Sequence, residues 1–328
     1  MLINIKSGVP TDQIKQKLAG LGLWLEALLD DSGAVSGFFA KGYSTPVDAD
    51  IIRRIEGVAS VHEAKSQHPI LDRHRRSTVH VSDIDFMSDM PVLIAGPCSV
   101  DSEERIDQIA RHVAQAGGRF LRGGAYKPRT SPYAFAGFGV PALKWMRAAA
   151  DRHGLGIVTE VMSEHDVDTV ADIADLVQIG SRNMQNFSLL RQAGATGKPA
   201  LLKRGRAATV SEWLMAAEYL YASGASCVLF CERGIRGFDG HTRNLIDLGA
   251  VALLRHHYGL PVVVDPSHAA GRRDLVTPLA CAAVAAGAAG VMVETHPEPE
   301  LALSDAPQAL SPAALNQLAA ALNLEVVK

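Results

Sequence analysis

Cysteine is scarce, with four in 328 residues. So few in so long a chain exclude a disulfide framework and make a reducing compartment the expectation. No uninterrupted apolar run is long enough to span a bilayer. The opening ten residues, MLINIKSGVP, lack the long apolar core of a signal peptide, so the expected location is the cytoplasm. Charge of one sign is also lacking: Lys+Arg 32 against Asp+Glu 35 gives a net charge of -3. That balance argues against a broad nucleic-acid surface, while a local basic pocket stays possible. Familiar nucleotide and hydrolase signatures are missing too. There is no G-x-S-x-G elbow. GATGKP at 194–199 has the wrong glycine spacing for a phosphate loop, and Pro199 follows Lys198. Gly137-Phe138-Gly139 is too short for a dinucleotide fingerprint. The Asn186-Phe187-Ser188 sequon reads as a chance match in a reducing compartment.

What is present is a well-mixed chain, 48% hydrophobic and 20% charged, with a mean hydropathy of +0.09. Such a chain buries a sizeable core without staples. Its length suits two domains, or one large barrel with an appendage. The first seventy or so residues have their own rhythm. Leu2 to Ile5, Leu23 to Leu29, Val35 to Ala40 and a segment around Ala64 are strand candidates. Between them lie helix candidates, one opened by Pro10-Thr11 and one over Asp48 to Val58. The order βαββαβ is that of a ferredoxin-like module, placed at residues 1–70. The charged, non-periodic stretch 70–76 is read as a linker, and Thr78 to Phe86 as a hairpin that covers something, the two filling residues 71–90.

From Pro91 to the end, 91–328, a beat repeats: short apolar run, polar turn, amphipathic stretch. The runs are Val92–Ala95, Phe120–Arg122, Gly156–Thr159, Leu176–Ile179, Ala200–Leu202, Cys227–Phe230, Pro261–Val264 and Gly290–Val293. Capping boxes are expected at Asp101/Glu104 and Thr209/Glu212, and a cap at Ser311-Pro312. Eight β-then-α units at a spacing of roughly 25 to 30 residues suit an α/β fold of (β/α)8 TIM-barrel type. A doubly wound open sheet is the alternative.

In such a barrel, function gathers where the strands end. Behind successive runs stand Cys98; Arg122 and then Lys127-Pro128-Arg129-Thr130-Ser131; Glu160; Gln178 with Ser181 and Arg182; Lys203; Cys231, Glu232 and Arg233; Asp265 and His268; and Glu294 with His296 and, further on, Asp305. Two chemistries separate. Cys98, His268, Glu294 and Asp305 are thiol, imidazole and carboxylates suited to one borderline first-row ion. Taken singly, Cys98 reads rather as a buried core thiol and His268 as a hydrogen-bonded loop residue; only for the four together do the two readings balance. Arg122, Lys127, Arg129, Arg182, Lys203 and Arg233 are cations that make sense together if they hold phosphate or carboxylate. The competing reading is a solvated rim balanced by Glu160, Glu232 and Asp265. Cys227 and Cys231 lie in one apolar run, where buried thiols are expected rather than a zinc pair.

The segments GPCS at 96–99, LRGGAYKPRTSPYAFAGFG at 121–139, IGSRNMQNF at 179–187, LLKRG at 201–205, CERGIRGF at 231–238, DPSHAAGRRDLV at 265–276 and VETHPEPELALSDAPQAL at 293–310 closely resemble the 3-deoxy-D-arabino-heptulosonate 7-phosphate (DAHP) synthases. The resemblance runs from about Pro91 to the end. It implies condensation of phosphoenolpyruvate with erythrose 4-phosphate and water, the entry to the shikimate pathway and aromatic amino acid biosynthesis. It implies one divalent ion, Mn, Fe, Co or Zn, on Cys98, His268, Glu294 and Asp305. It implies phosphoenolpyruvate on Arg122, Lys127, Arg182, Lys203 and Arg233, with the sugar phosphate on Arg129 and Thr130. Gln178, Ser181 and Asp265 join the implied substrate-binding set, and Glu160 falls beside them. Lys127, Glu160 and His268 are the implied catalytic set, with Lys127 placed as a general acid. The N-terminal module resembles the regulatory extension of one subgroup, with tyrosine or phenylalanine as effector. A homotetramer or homodimer is expected on the same ground, with no nucleic-acid or membrane partner. The sister 3-deoxy-D-manno-octulosonate 8-phosphate synthases, which use arabinose 5-phosphate, typically carry Asn where Pro128 stands and often dispense with the ion. The intact KPRTS and Cys98 therefore favour the four-carbon sugar. A non-catalytic phosphate-ligand sensor would have no use for a complete ligand set. A helical mutase fusion is disfavoured by the βαββαβ order.

Overall fold

The computed structural model describes residues 1–30, 32–63, 66–127, 133 and 135–324. It divides into two compact units, Met1–Gln67 and His68–Lys328. In the first, β1 (Leu2–Ile5), α1 (Thr11–Gly20), β2 (Leu23–Leu29), β3 (Val35–Tyr43), α2 (Ala49–Arg53) and β4 (Val58–His62) follow in chain order. The sheet order is β2-β3-β1-β4, with every pair antiparallel. Ile3, Leu18, Phe38 and Ile52 form its fully buried centre. The second helix is shorter than the apolar spacing over Asp48 to Val58 predicts. Asp48 caps it by accepting from the Asp50 N–H, but Gly57 sits at φ +95° and turns the chain, so Val58 opens a strand. The fourth strand thus lies at Val58–His62 rather than around Ala64, which is outside the described residues.

In the second unit, the stretch read as a linker contains a helix, Pro69–Arg73, whose Leu71 is fully buried. The buried Glu218 carboxylate accepts from the Ile70 and Leu71 N–H groups at 2.9 and 2.8 Å. A small hairpin follows, β5 (His80–Val81) with β6 (Ile84–Asp85). The barrel strands are β7 (Val92–Gly96), β8 (Phe120–Arg122), β9 (Gly156–Val161), β10 (Leu176–Ile179), β11 (Ala200–Lys203), β12 (Val228–Glu232), β13 (Val262–Val264) and β14 (Gly290–Glu294). They are parallel and close on themselves, β14 pairing with β7. Side-chain alternation separates two cores. Leu93, Leu121 and Ile157 face the helices, while Ile94, Phe120 and Val158 fill the interior. Val79, Val81 and Phe86 pack into that interior from the hairpin segment, and the Phe86 and Phe120 rings lie 5.8 Å apart. The floor of the barrel is therefore plugged with apolar side chains, and open space remains at the C-terminal ends of the strands.

Two of the three predicted helix starts form as expected. Thr209 and Glu212 complete a capping box over Val210–Ala222, and Ser311 accepts from the Ala314 N–H ahead of Pro312. The third is displaced: Ser102, not Asp101, caps Glu103–Gln115 by accepting from the Arg105 N–H. The Asp101 carboxylate is occupied by the Arg105 guanidinium at 2.8 Å. Among the described residues no helix is long and apolar enough to cross a membrane.

Candidate active site

The C-terminal mouth of the barrel holds a cavity of about 300 Å³ whose walls are mostly polar. Arg122, Glu160, Gln178 and Lys203 reach it from strand ends, and Lys127, Ser181, Arg182, Arg233, His268 and Asp305 from the loops that follow. Ten of the residues singled out in the sequence therefore line one space. Arg129 and Thr130 lie outside the described residues.

At one side of this space Cys98, His268, Glu294 and Asp305 converge. One donor atom from each lies within 4.8 Å of all the others. Donor atoms about 2.0–2.3 Å from a common ion stand ~3.3–4.6 Å apart, the lower end for a tetrahedral ion, so four donors this close to one another suit a single ion. The surroundings fit that use. Asp265 accepts from His268 Nδ1 at 2.8 Å, which leaves Nε2 free to ligate and facing Glu294 Oε1 at 3.4 Å. Cys98 donates to Asp305 Oδ2 at 3.0 Å. Burial, reinforced by Glu294, pushes the Cys98 thiol up to about 12, so it is a thiol until a cation displaces its proton. Burial alone would raise Asp305, but the Cys98 thiol, His268 and Arg243 bring it down to about 2. Burial likewise opposes ionised Glu294, and His268 and Arg122 outweigh it. Asp305 takes φ +54°, a left-handed conformation that Asp tolerates better than most residues.

The cations divide by partner. Arg122 donates to Glu294 at 2.7 Å and Lys203 to Asp265 at 2.6 Å, both buried. Lys127 points its ammonium at Cys98, 2.7 Å from the carbonyl oxygen and 2.9 Å from Sγ. Among the described residues Lys127, Arg182 and Arg233 have no carboxylate partner. Burial, with Arg206 and Arg243 adding to it, pulls Arg233 below the usual arginine value. Of the carboxylates of the rim reading only Asp265 balances one of these cations among the described residues, buried Lys203; Glu232 is completely buried and binds Arg204, while Glu160 accepts from Gln178 at 3.2 Å. Gly180 permits that placement, because a Cβ there would stand 1.9 Å from Glu160 Oε1. Unpaired cations around a small cavity call for anions.

Arg206, Arg243 and Asn244 also line the cavity and were not singled out in the sequence. Arg206 stands three residues past Lys203, so its loop was a signal. Arg243 and Asn244 sit deep in the long loop after β12. They arrive because their N–H groups bond to Ala270 and Ala269 beside His268, which spacing does not reveal. Cys227 and Cys231 are buried free thiols, as expected.

A closed (β/α)8 barrel with a metal-type cluster and unpaired cations at one mouth defines a barrel enzyme built for small anionic substrates. Residues 76–326 match the model of the DAHP synthetase I family, and the chain belongs to that family. It is 48% identical over 267 residues to the phospho-2-dehydro-3-deoxyheptonate aldolase of Thermotoga maritima, covering 80% of this chain and 79% of that protein. A crystal structure of that Thermotoga maritima aldolase, also called DAHP synthase, superposes with a TM-score of 0.77 at 40% identity, covering 97% of this chain and 95% of that one. The 2-dehydro-3-deoxyphosphooctonate aldolase of Acidithiobacillus ferrooxidans is 32% identical over 66% of this chain and 83% of its own length.

Proposed function

We propose that this mouth condenses phosphoenolpyruvate with erythrose 4-phosphate and water, giving DAHP and phosphate, the first step of the shikimate pathway. The observation that carries the reading is the meeting of two sets at one cavity: four ligand-type donors within 4.8 Å of one another, two of which, His268 and Asp305, line it, and beside them cations without carboxylate partners among the described residues. Family membership supports the same pair of substrates.

Arg122, Lys127, Arg182, Lys203 and Arg233 hold the carboxylate and phosphate of phosphoenolpyruvate, while Arg129 and Thr130 take the phosphate of the sugar. Ser181 lies beside Arg182 on the cavity wall. Cys98, His268, Glu294 and Asp305 hold one divalent ion, Mn, Fe, Co or Zn. When bound, the ion supplies Lewis-acid polarisation of the aldehyde oxygen. C3 of the enol attacks the aldehyde carbon, and Lys127 donates a proton to the oxygen that becomes the alkoxide. Positive character develops at C2 and water adds there. Glu160, oriented by Gln178, takes one proton of that water; the resulting C2 hydroxyl gives its remaining proton to the departing phosphate as the C2–O bond to phosphate breaks and the keto group forms. Asp265 fixes the His268 ring and the Lys203 ammonium together.

The first unit is proposed as a ferredoxin-like regulatory domain, spanning residues 1–70, that answers to tyrosine or phenylalanine. Its βαββαβ order and β2-β3-β1-β4 sheet support this. The Thermotoga maritima structure, which covers 97% of the chain, supports it too. A cytoplasmic homotetramer or homodimer completes the reading.

The test is phosphoenolpyruvate consumption with erythrose 4-phosphate or arabinose 5-phosphate, each with and without chelator. Turnover with erythrose 4-phosphate alone, lost to chelator and restored by Mn²⁺, is expected. Preference for arabinose 5-phosphate overturns the sugar assignment, and no turnover with either overturns the enzyme.

A further inference from the structure

Glu294 is gripped from both sides. Its Oε1 accepts from Arg122 at 2.7 Å and faces His268 Nε2 at 3.4 Å, while its Oε2 accepts from Gln308 Nε2 at 2.6 Å. Gln308 is completely buried, and its own Oε1 has no hydrogen-bond partner among the described residues. A buried amide left half satisfied is a poor choice for stability alone. Nor is the side chain needed to dock its segment. Leu310 already donates to the Glu294 carbonyl at 2.8 Å and accepts from the His296 N–H at 3.0 Å.

Gln308 also closes the single turn that Asp305 opens, its N–H donating to the Asp305 carbonyl at 3.2 Å. One residue therefore ties together two of the four candidate ligands, by backbone to Asp305 and by side chain to Glu294. These are the two carboxylates of the set, which repel each other. Its donor is neutral, so it orients Glu294 without cancelling the charge that would face a cation.

Resting on the metal-site reading above, we infer that Gln308 is a positioning residue. It holds Oε2 of Glu294 back so that Oε1 alone is presented to the ion, beside His268 and Asp305. Such outer donors commonly change metal affinity by about 10–100-fold.

The experiment is Co²⁺ titration of the full-length chain, read by its visible spectrum and by the charge-transfer band of the Cys98 thiolate, with Cys98→Ala as the blank. Gln308→Met keeps length and removes the donor. It is expected to stay folded, unfolding at a somewhat lower urea concentration because Glu294 Oε2 loses its donor, yet to bind Co²⁺ about 10–100-fold more weakly, with an altered visible spectrum. Gln308→Asn, one methylene short of reaching Glu294, is expected to behave alike. Parental affinity and spectrum in a folded variant overturn the inference while leaving the metal site standing. Failure of both variants to fold makes Gln308 structural and overturns it as well. A parent that binds no Co²⁺ overturns the metal site itself, and this inference with it.

Discussion

Lys203 and His268 share a single oxygen: Asp265 Oδ2 lies 2.6 Å from Lys203 Nζ and 2.8 Å from His268 Nδ1. Lys203 belongs to the cation set and His268 to the ligand set, so one buried carboxylate orients a member of each. Burial alone would raise Asp265, but His268 and Lys203 hold it well below the usual carboxylate range.

Asp265→Asn should therefore damage both functions. Lys203 loses its buried countercharge, at a cost of about 3–5 kcal/mol. The His268 ring loses its anchor, and metal affinity should fall by about 10–100-fold. A carboxylate with a depressed folded pKa contributes stability above its unfolded value of about 3.9, and that contribution fades as pH falls through the folded pKa. The stability gap between parent and variant in urea denaturation should be constant above about pH 5 and shrink below about pH 4. A gap that widens on acidification would contradict the pairing.

Metal binding should release a proton, because the Cys98 thiol is pushed up to about 12 by burial and by Glu294. Affinity should then rise about tenfold per pH unit between roughly pH 7 and 9. Calorimetry in buffers of different ionisation enthalpy counts the proton directly. Cys98→Ala should abolish turnover and the proton release while leaving the circular dichroism spectrum unchanged. Retained activity would remove Cys98 from the ligand set.

Lys127 has no carboxylate partner among the described residues and holds its ammonium 2.9 Å from Cys98 Sγ, at the edge of the ligand cluster. In the proposed reaction this placement would let Lys127 protonate the former aldehyde oxygen of the sugar phosphate. Lys127→Ala should lower kcat by about 10²–10⁴ and raise KM for phosphoenolpyruvate far less. A change confined to KM would make Lys127 an anchor only.

The barrel was legible in the chain because each strand is a short buried run closed by a polar turn, and each helix carries an apolar stripe. Phe120–Arg122 and Leu176–Ile179 fall where the runs end. The site was legible for the same reason: Arg122, Gln178 and Lys203 stand at strand ends, where a barrel displays its side chains. What escaped was carried by tertiary contact. Arg243 and Asn244 reach the cavity through backbone bonds to Ala270 and Ala269, and no periodicity marks a loop that folds back. Asp101 looked like a cap, but its carboxylate is taken by Arg105, and Ser102 serves instead. The helix Pro69–Arg73 is five residues long with Leu71 as its one buried residue, too short for an apolar period to show.

That helix decides where the regulatory reading should be tested. Truncation of residues 1–67 follows the boundary between the compact units and leaves the helix in place. It should keep activity while abolishing inhibition by tyrosine or phenylalanine in the phosphoenolpyruvate assay. Truncation of residues 1–76 also removes the fully buried Leu71 and the two N–H donors that satisfy Glu218. Loss of that side chain costs about 2–3 kcal/mol, and a buried carboxylate stripped of its donors costs about 1–3 kcal/mol more. The longer truncation should therefore unfold at lower urea than the shorter one. Adding Glu218→Leu, which removes the stranded carboxylate, should recover part of the difference. Equal stability of the two truncations would mean that the segment 68–76 belongs energetically to the first unit. Loss of activity in the shorter one would make that unit structural rather than regulatory.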